Sequence, residues 1–505
     1  MYKLIVAFLI VFGALGFSAK AQEVPQIDDA FITTMEAIIT TANTKFNVPG
    51  SAIAFVQNGE IVYSAGFGVR NIETGAPVTP ETLFRTGSTL KSATALLIAT
   101  MVDEGLLTWD TPVSQLLPNL QFPTEELTAE LTIGEIMGHG TGLNIGVFPF
   151  YWDMLTAEDV ISAQANASIT GERGNSFLYN NDLFAIAGYA AVGAVGGDDY
   201  LNDYTQLMHE RIFDPIGMDT FTISDNPTTI SDNASLSYTL NLILGIDVPY
   251  LSEFMHINAL APAGGGVGSV IDMAKYIITH LNGGFAPDGT QIVSEENLLR
   301  TYEIQNSYFD ESLFPTYDFA TYEGYGMGWM KVNVGGIEIF SHAGGIDGFM
   351  TEMVIIPQAN AGIVILSNSL ISTFTNQWIM YEFVNQLYDL GIDTIESEID
   401  AIINGQLAGL DMLAPLLENP EPNSEQVAPL LGEYENGWTL YIDDEGLLRL
   451  ERIGLSVILL QLPMPNTYFA ISGQPGMQIT FTFDDDIPTL TIESPAFSES
   501  VRKTE

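Results

Sequence analysis

Gly87-Ser88-Thr89-Leu90-Lys91 stands directly before the apolar run Ala93 to Met101, which reads as a buried helix. Three residues are just under one helical turn, so a serine opening that helix and a lysine one turn on lie on neighbouring faces and can meet. A serine hydroxyl is a poor nucleophile until a base takes its proton. Lysine is that base only where burial or a nearby cation lowers its pKa from about 10.4 toward neutrality, and Phe84, Leu90 and Ala95 offer an apolar setting. Alone, Ser-x-x-Lys is a weak motif. Ser500-Val501-Arg502-Lys503 repeats it in a charged tail where nothing is expected to position it, and a serine before a helix is otherwise an N-cap.

Two further stretches strengthen the reading. Tyr179-Asn180-Asn181 follows Phe177-Leu178 and opens the small-residue helix Leu183 to Ala194, which aims a phenol and an amide from a loop into a cleft. Beside a cationic Lys91 the phenol's pKa is expected to fall from about 10, and the two groups then titrate as a pair, which leaves the base unassigned between them. Taken singly, Tyr179 reads as a core tyrosine with a bonded hydroxyl. Ser341-His342-Ala343-Gly344-Gly345 continues the strand Ile337 to Phe340. Its glycines let a ligand approach the backbone, and the N–H of Gly345 is expected to join that of Ser88 in holding the oxyanion of a tetrahedral intermediate.

Serine, tyrosine and a His-x-Gly strand in this order resemble the serine β-lactamase and penicillin-binding-protein superfamily, whose signatures include Ser-x-x-Lys and Lys-Thr-Gly. The likeness is greatest to its class C branch, with D-aminopeptidase, DD-peptidase and esterase relatives, where Tyr-x-Asn holds the middle position. It spans roughly residues 28 to 390 and takes in Phe84-Arg85-Thr86-Gly87, His139-Gly140-Thr141-Gly142-Leu143, Gly217-Met218-Asp219-Thr220, Pro262-Ala263-Gly264-Gly265 and Tyr325-Gly326-Met327-Gly328-Trp329. The resemblance implies an α+β fold, an antiparallel sheet flanked by helices with an all-helical lobe. It also implies an acyl-enzyme on Ser88, proton exchange through Lys91 and Tyr179, a substrate amide held by Asn181, and substrate contacts at His342, Gly344 and Gly345, without metal or cofactor. The chain departs from the family at the third motif: His342-Ala343-Gly344 lacks the fixed cation and the hydroxyl of Lys-Thr-Gly. A neutral histidine, unperturbed pKa near 6.5, attracts a substrate carboxylate less than lysine does. His-x-Gly variants in the family are commoner among D-amino-acid peptidases and esterases, so the resemblance implies cleavage of an amide or ester, a D-amino-acid peptide, β-lactam or small ester, with efficient β-lactam hydrolysis disfavoured. His139 lies in a supporting segment and reads as structural. The alternative is a non-catalytic penicillin- or peptidoglycan-binding receptor of the same fold, against which the joint presence of Lys91 and Tyr179 argues.

Around these motifs the chain reads as a helix over 28 to 47, a hairpin from Ser51 to Gly66 turning at Asn58-Gly59, helices at Ser88 to Glu104, Asn181 to Ala194 and Val270 to Leu281, a second hairpin pairing Met353 to Ile356 with Ile363 to Leu366, and a helix from Asn376 to Tyr388. Strands, then helices, then strands imply a helical lobe inserted into one sheet. The expected organisation is a leader over 1–21, a hydrolase domain over 22–395, a helical segment and linker over 396–425, and a small antiparallel β domain over 426–505. In the last, short β-prone runs cover 432–438, 439–442, 447–451, 457–462, 468–471, 478–483 and 489–492.

Lys3, the apolar stretch Leu4 to Phe17 and Ala19-Lys20-Ala21 form a signal-peptide pattern with cleavage before Gln22, so export to a periplasmic or extracellular space is expected, without stable membrane insertion. Fifteen Lys+Arg against 63 Asp+Glu give a net charge of −48, which repels nucleic acid and suits a hydrated surface; the expected partner is a small-molecule or peptide substrate. No cysteine is present, which excludes a thiol nucleophile. Neither a Gly-x-Ser-x-Gly elbow nor a His-Glu-x-x-His helix occurs. His209, His256 and His280 read as core histidines, and Asp484-Asp485-Asp486 as a turn.

Overall fold

The computed structural model describes residues 25–144, 155–241, 245–251, 254, 256–307, 316–410, 416, 420–452, 455–462, 464–471, 478–484, 487–494 and 497–504. The leader pattern over 1–21, Asp485 and Asp486 lie outside them. Helix α1 (Asp29–Lys45) starts where the Asp28 carboxylate accepts the Phe31 N–H at 2.9 Å, which satisfies one of the donors a helix start leaves orphaned. Strand β1 (Gly50–Gln57) turns through Asn58 and Gly59, with φ of 53° and 81°, into β2 (Glu60–Asn71). Two left-handed residues are what a tight twisted hairpin needs. The short β3 (Ala76–Pro77) and β4 (Phe84–Arg85) follow.

Between β4 and the next long strand lies a helical lobe. At its centre, α2 (Leu90–Asp103) is buried from Leu90 through Met101, which explains its lack of a polar stripe. The helices Asn181–Ala194 and Val270–Leu281 have the bounds read from the sequence, each capped by a side chain, Asn180 and Ser269. The lobe also carries β5 (Thr222–Ile223), β6 (Tyr238–Asn241), β7 (Gly245–Leu251) and β8 (Gly266–Gly268). Of these, β5 and β8 join β4 in a three-stranded sheet.

The chain then returns as β9 (Ala320–Tyr325), β10 (Met330–Val334), β11 (Ile337–Ile346), β12 (Phe349–Ile356) and β13 (Ala361–Ser367). These complete an eight-stranded antiparallel sheet of order β3-β2-β1-β13-β12-β11-β10-β9. Every residue of β1 is buried because helices cover both faces: Phe55 meets Phe31 of α1 and Phe383 of the helix Ser372–Tyr388, while Ile277 packs beside Val56 on the other side. The strand β11 runs past the expected end at Phe340 to Ile346, since β10 and β12 flank it and the ladder with β12 carries its glycines. It turns at Asp347-Gly348, φ 52° and 90°, with Ile346 opposite Phe349.

Beyond the helix Ile395–Leu410, strands β14 to β21 form an eight-stranded meander between Gly432 and Arg502 with its own buried cluster, including Trp438, Leu450, Tyr468 and Ile492. Its ends meet, Tyr434 bridging Lys503 and Thr504 N–H donating to Glu433 C=O at 2.8 Å. Two expectations change here. The run 432–438 is a strand only over Gly432–Glu433, because Asn436 at φ 60° turns the chain. Phe497–Arg502 is a further strand, β21, so Ser500 to Lys503 is no loose tail. Among the described residues no helix is long and apolar enough to cross a membrane.

Candidate active site

The backbone before α2 makes a 3-10 turn over Gly87–Thr89, which leaves Ser88 partly exposed and lets Lys91 point back beneath it. Lys91 is fully buried. Its Nζ lies 3.0 Å from Ser88 Oγ, 2.7 Å from Asn181 Oδ1 and 2.7 Å from the Ala263 carbonyl. Burial penalises the ammonium and holds its pKa well below the ordinary lysine value. The Ser88 side chain makes no helix cap.

Tyr179 is brought to the same place by the turn into the helix Asn181–Ala194. Its hydroxyl is hydrogen-bonded to Ser88, and Lys91 Nζ stands 4.9 Å from its ring centroid. The expected fall of its pKa does not occur. Burial raises it, and the bond to Ser88 opposes that only in part, because the amine stands over the ring face and is itself biased to the neutral form. Asn181 uses its carbonyl oxygen on Lys91.

The strand β11 meets the Gly87–Thr89 turn backbone to backbone. A Cβ on Gly344 would lie 2.1 Å from the Thr86 carbonyl oxygen and 3.1 Å from Ser88 N; one on Gly87, itself at φ 54°, would lie 2.8 Å from Gly345 N. Both glycines are therefore steric requirements, and the amides of Ser88 and Gly345 are brought to one spot. Gly345 is exposed, Gly344 buried.

His342 is only 3% exposed. Its Nδ1 lies 2.6 Å from the Ala343 carbonyl and its Nε2 2.9 Å from the Tyr325 hydroxyl. A carbonyl only accepts, so the proton is on Nδ1 and Tyr325 donates to Nε2. Burial, then the nearness of Lys91, pushes the imidazole down to about 3 against the bond to Ala343. Neutral and with both nitrogens engaged, it offers no donor to a substrate.

A family model described as Beta-lactamase matches residues 35–379, more than half of the chain. The chain belongs to the β-lactamase family. Membership makes it a serine hydrolase in the general sense. It is 27% identical to an unguisins hydrolase of Aspergillus campestris, over 69% of this chain and 64% of that protein's length, so the match leaves over a third of that relative uncovered. It is 24% identical to penicillin-binding protein 4 of Amycolatopsis lactamdurans, over 78% of this chain and 94% of that one. Among solved structures, an octameric penicillin-binding protein homologue from Pyrococcus abyssi superposes with a TM-score of 0.61 at 21% identity, covering 93% of this chain and 99% of that one. SurE with D-Leu gives 0.56 at 20% identity, covering 94% and 100%. These last two establish the fold.

In this family member several site residues escape a motif reading. The Ala263 carbonyl and Tyr325 sit in segments whose only signal was family likeness. His139, read as structural, is a fully buried wall of the site: its ring centroid lies 4.4 Å from that of Tyr179 and 4.8 Å from that of Tyr325, and its Nδ1 accepts the Asn180 N–H at 3.2 Å. Burial first, then Lys91 and His342, hold it neutral. Two other histidines correct the reading as core residues: His209 bonds Asp214 at 3.1 Å and His256 bonds Asp225 at 3.2 Å, with side chains 34% and 52% exposed. His280 is buried, as expected. Among the described residues no group of three or more His, Cys, Asp or Glu is arranged to hold a metal.

Proposed function

We propose that the chain cleaves an amide or ester through an acyl-enzyme on Ser88, with Lys91 as base and Tyr179 as the proton donor. The observation that carries this reading is the set of contacts at Lys91 Nζ. Two of its three neighbours, Asn181 Oδ1 and the Ala263 carbonyl, only accept hydrogen bonds. A neutral amine spends its two hydrogens on them, and its lone pair is left for the Ser88 hydroxyl at 3.0 Å. As Oγ bonds the substrate carbonyl carbon, the hydroxyl proton passes to Nζ and the oxyanion is held by the N–H groups of Ser88 and Gly345. Collapse breaks the C–N or C–O bond; the leaving group takes a proton from Tyr179, which Lys91 restores. Water then attacks the ester on the same route, and Ser88 leaves. Burial divides the labour: it lowers the amine's pKa, which suits a base, and raises the phenol's, which keeps a proton to give.

The substrate class follows from charge. His342 stands where the family's lysine attracts a carboxylate, and it is neutral and internally bonded. The reading therefore favours a small ester or a D-amino-acid peptide whose carbonyl flank is uncharged over a β-lactam carrying a carboxylate. Turnover of p-nitrophenyl acetate and nitrocefin by wild type beside Ser88→Ala tests it: the ester should be cleaved faster and the variant should be inert to both. Equal rates for wild type and variant contradict the nucleophile, and a strong preference for nitrocefin contradicts the substrate class.

A further inference from the structure

The two amides of the oxyanion site come from segments tied to two different sheets, the turn Gly87–Thr89 after β4 and the strand β11. Ser88 follows β4, which pairs with β8 in the three-stranded sheet β4-β8-β5, whereas Gly345 belongs to β11 in the main sheet. No ladder joins β4 to β11 among the described residues. Contact through Gly87 and Gly344 sets how close the two backbones come, but van der Waals contact does not fix sliding or tilt, and hydrogen-bond donors to an oxyanion need both.

One strong bond does join these segments beside the site. The guanidinium of Arg85, three residues before Ser88, is ion-paired with the carboxylate of Asp347, two residues after Gly345. Both side chains are 0% exposed. Each is rigidly based. Arg85 pairs with Val267 in the β4–β8 ladder. Asp347 forms the left-handed turn between β11 and β12, where the next residue, Gly348, leaves no room for a Cβ because one would lie 2.5 Å from the Tyr238 carbonyl oxygen. Asp225 stands behind the same guanidinium at 3.7 Å and is itself held by the Ile257 N–H at 3.0 Å.

A buried ion pair adds little net stability compared with apolar residues of similar volume, because desolvation offsets the attraction. What it contributes is direction, since Arg85 Nη1 meets Asp347 Oδ2 and the N–H groups of a guanidinium fork lie in one rigid plane. From this placement we infer that Arg85 and Asp347 are positioning residues for the oxyanion site, setting the separation of the Ser88 and Gly345 amides. The inference rests on Ser88 being the nucleophile.

The test uses the full-length chain, with Asp347→Asn, Arg85→Lys and Asp225→Asn compared for kcat and KM on p-nitrophenyl acetate, inhibition by phenylboronic acid, and thermal midpoint. In the inhibitor complex the serine oxygen adds to boron and the hydroxyl proton passes to Lys91, so a boron-bound oxygen of the tetrahedral adduct takes the oxyanion's place. For the first two variants kcat should fall on the order of 10- to 100-fold, less than the 10²–10³ that loss of a whole oxyanion donor costs. KM should stay within about threefold, and boronate affinity should fall in step with kcat/KM. Asp225→Asn should change each by less than about threefold, because Asp225 is on neither segment; an equal loss there would reassign the effect to charge balance and overturn the inference. Should Asp347→Asn fail to fold, Arg85→Lys, which keeps the charge and loses the fork, decides alone. A lowered thermal midpoint with unchanged kcat and boronate affinity makes the pair merely structural and also overturns it. If Ser88→Ala keeps esterase activity and boronate inhibition, the nucleophile assignment has failed instead.

Discussion

Ser88–Lys91 and Ser500–Lys503 share one spacing and nothing else. At the first, a helical turn folds the lysine back under the serine, burial lowers its pKa well below the ordinary lysine value, and Nζ lies 3.0 Å from Oγ. At the second, Ser500 is exposed on β21 and bonds Thr491 at 2.8 Å, while Lys503 reaches the Pro429 carbonyl at 3.1 Å. In extended chain, residues three apart point to opposite faces and stand roughly 10 Å apart. The contrast teaches that the motif is a statement about helix geometry and dielectric, and that its four letters carry chemistry only where a helix begins inside a core.

Substitutions at both places sharpen that contrast. The largest expected effect is Ser88→Ala, which should lower kcat for p-nitrophenyl acetate on the order of 10⁴-fold or more, while Ser500→Ala should leave it within about twofold; comparable losses would break the comparison. Next, Lys91→Met should cost on the order of 10²–10⁴-fold, and Lys503→Met nothing measurable in the same assay. In the wild type, activity should decline as pH falls through the lowered lysine pKa, because the protonated amine has no lone pair for Ser88; a rate that rises on acidification contradicts the assignment of the base. Tyr179→Phe should cost less, on the order of 10²-fold, and the loss should be smaller for p-nitrophenyl esters, whose leaving group needs no proton, than for an amide.

The smallest effect concerns stability and asks whether burial alone neutralises a group that has no catalytic task. Glu352 on β12, opposite Ala343, is buried, and burial pushes its carboxyl up to about 8. Folded, it stays protonated to higher pH than unfolded. Its contribution is therefore complete below the unfolded pKa near 4.5 and is lost as pH rises toward 8. Glu352→Gln should show a melting temperature that gains on the wild type by several degrees between pH 5 and 8; a constant difference across that range contradicts the neutral carboxyl.

What could be read from the chain follows the range of the interactions. Ser88 and Lys91 are joined within one turn, and Asn181 opens a helix whose apolar run is continuous, so local pattern reaches them. The Asn58-Gly59 turn was legible for the same reason, and Asp347-Gly348 carries the same kind of signal between Ile346 and Phe349, though the glycines before it mask the strand. Arg85 with Asp347, Lys91 with the Ala263 carbonyl, and His342 with Tyr325 are joined only in three dimensions, and no spacing announces them. The direction of the Tyr179 shift depends on burial, a property of the packed lobe that local sequence does not carry. Strand β21 is hard to read from the chain because Ser498 and Ser500 dilute the apolar signal that Phe497 and Val501 carry.

The most direct test is mass-spectrometric mapping of the folded protein after treatment with a fluorophosphonate, whose fluoride is displaced by an activated serine oxygen. A single adduct on the peptide containing Ser88, abolished by Ser88→Ala and strongly slowed by Lys91→Met, is the predicted result. Labelling at another serine, or labelling at Ser88 that proceeds at the wild-type rate without the lysine, would contradict the account.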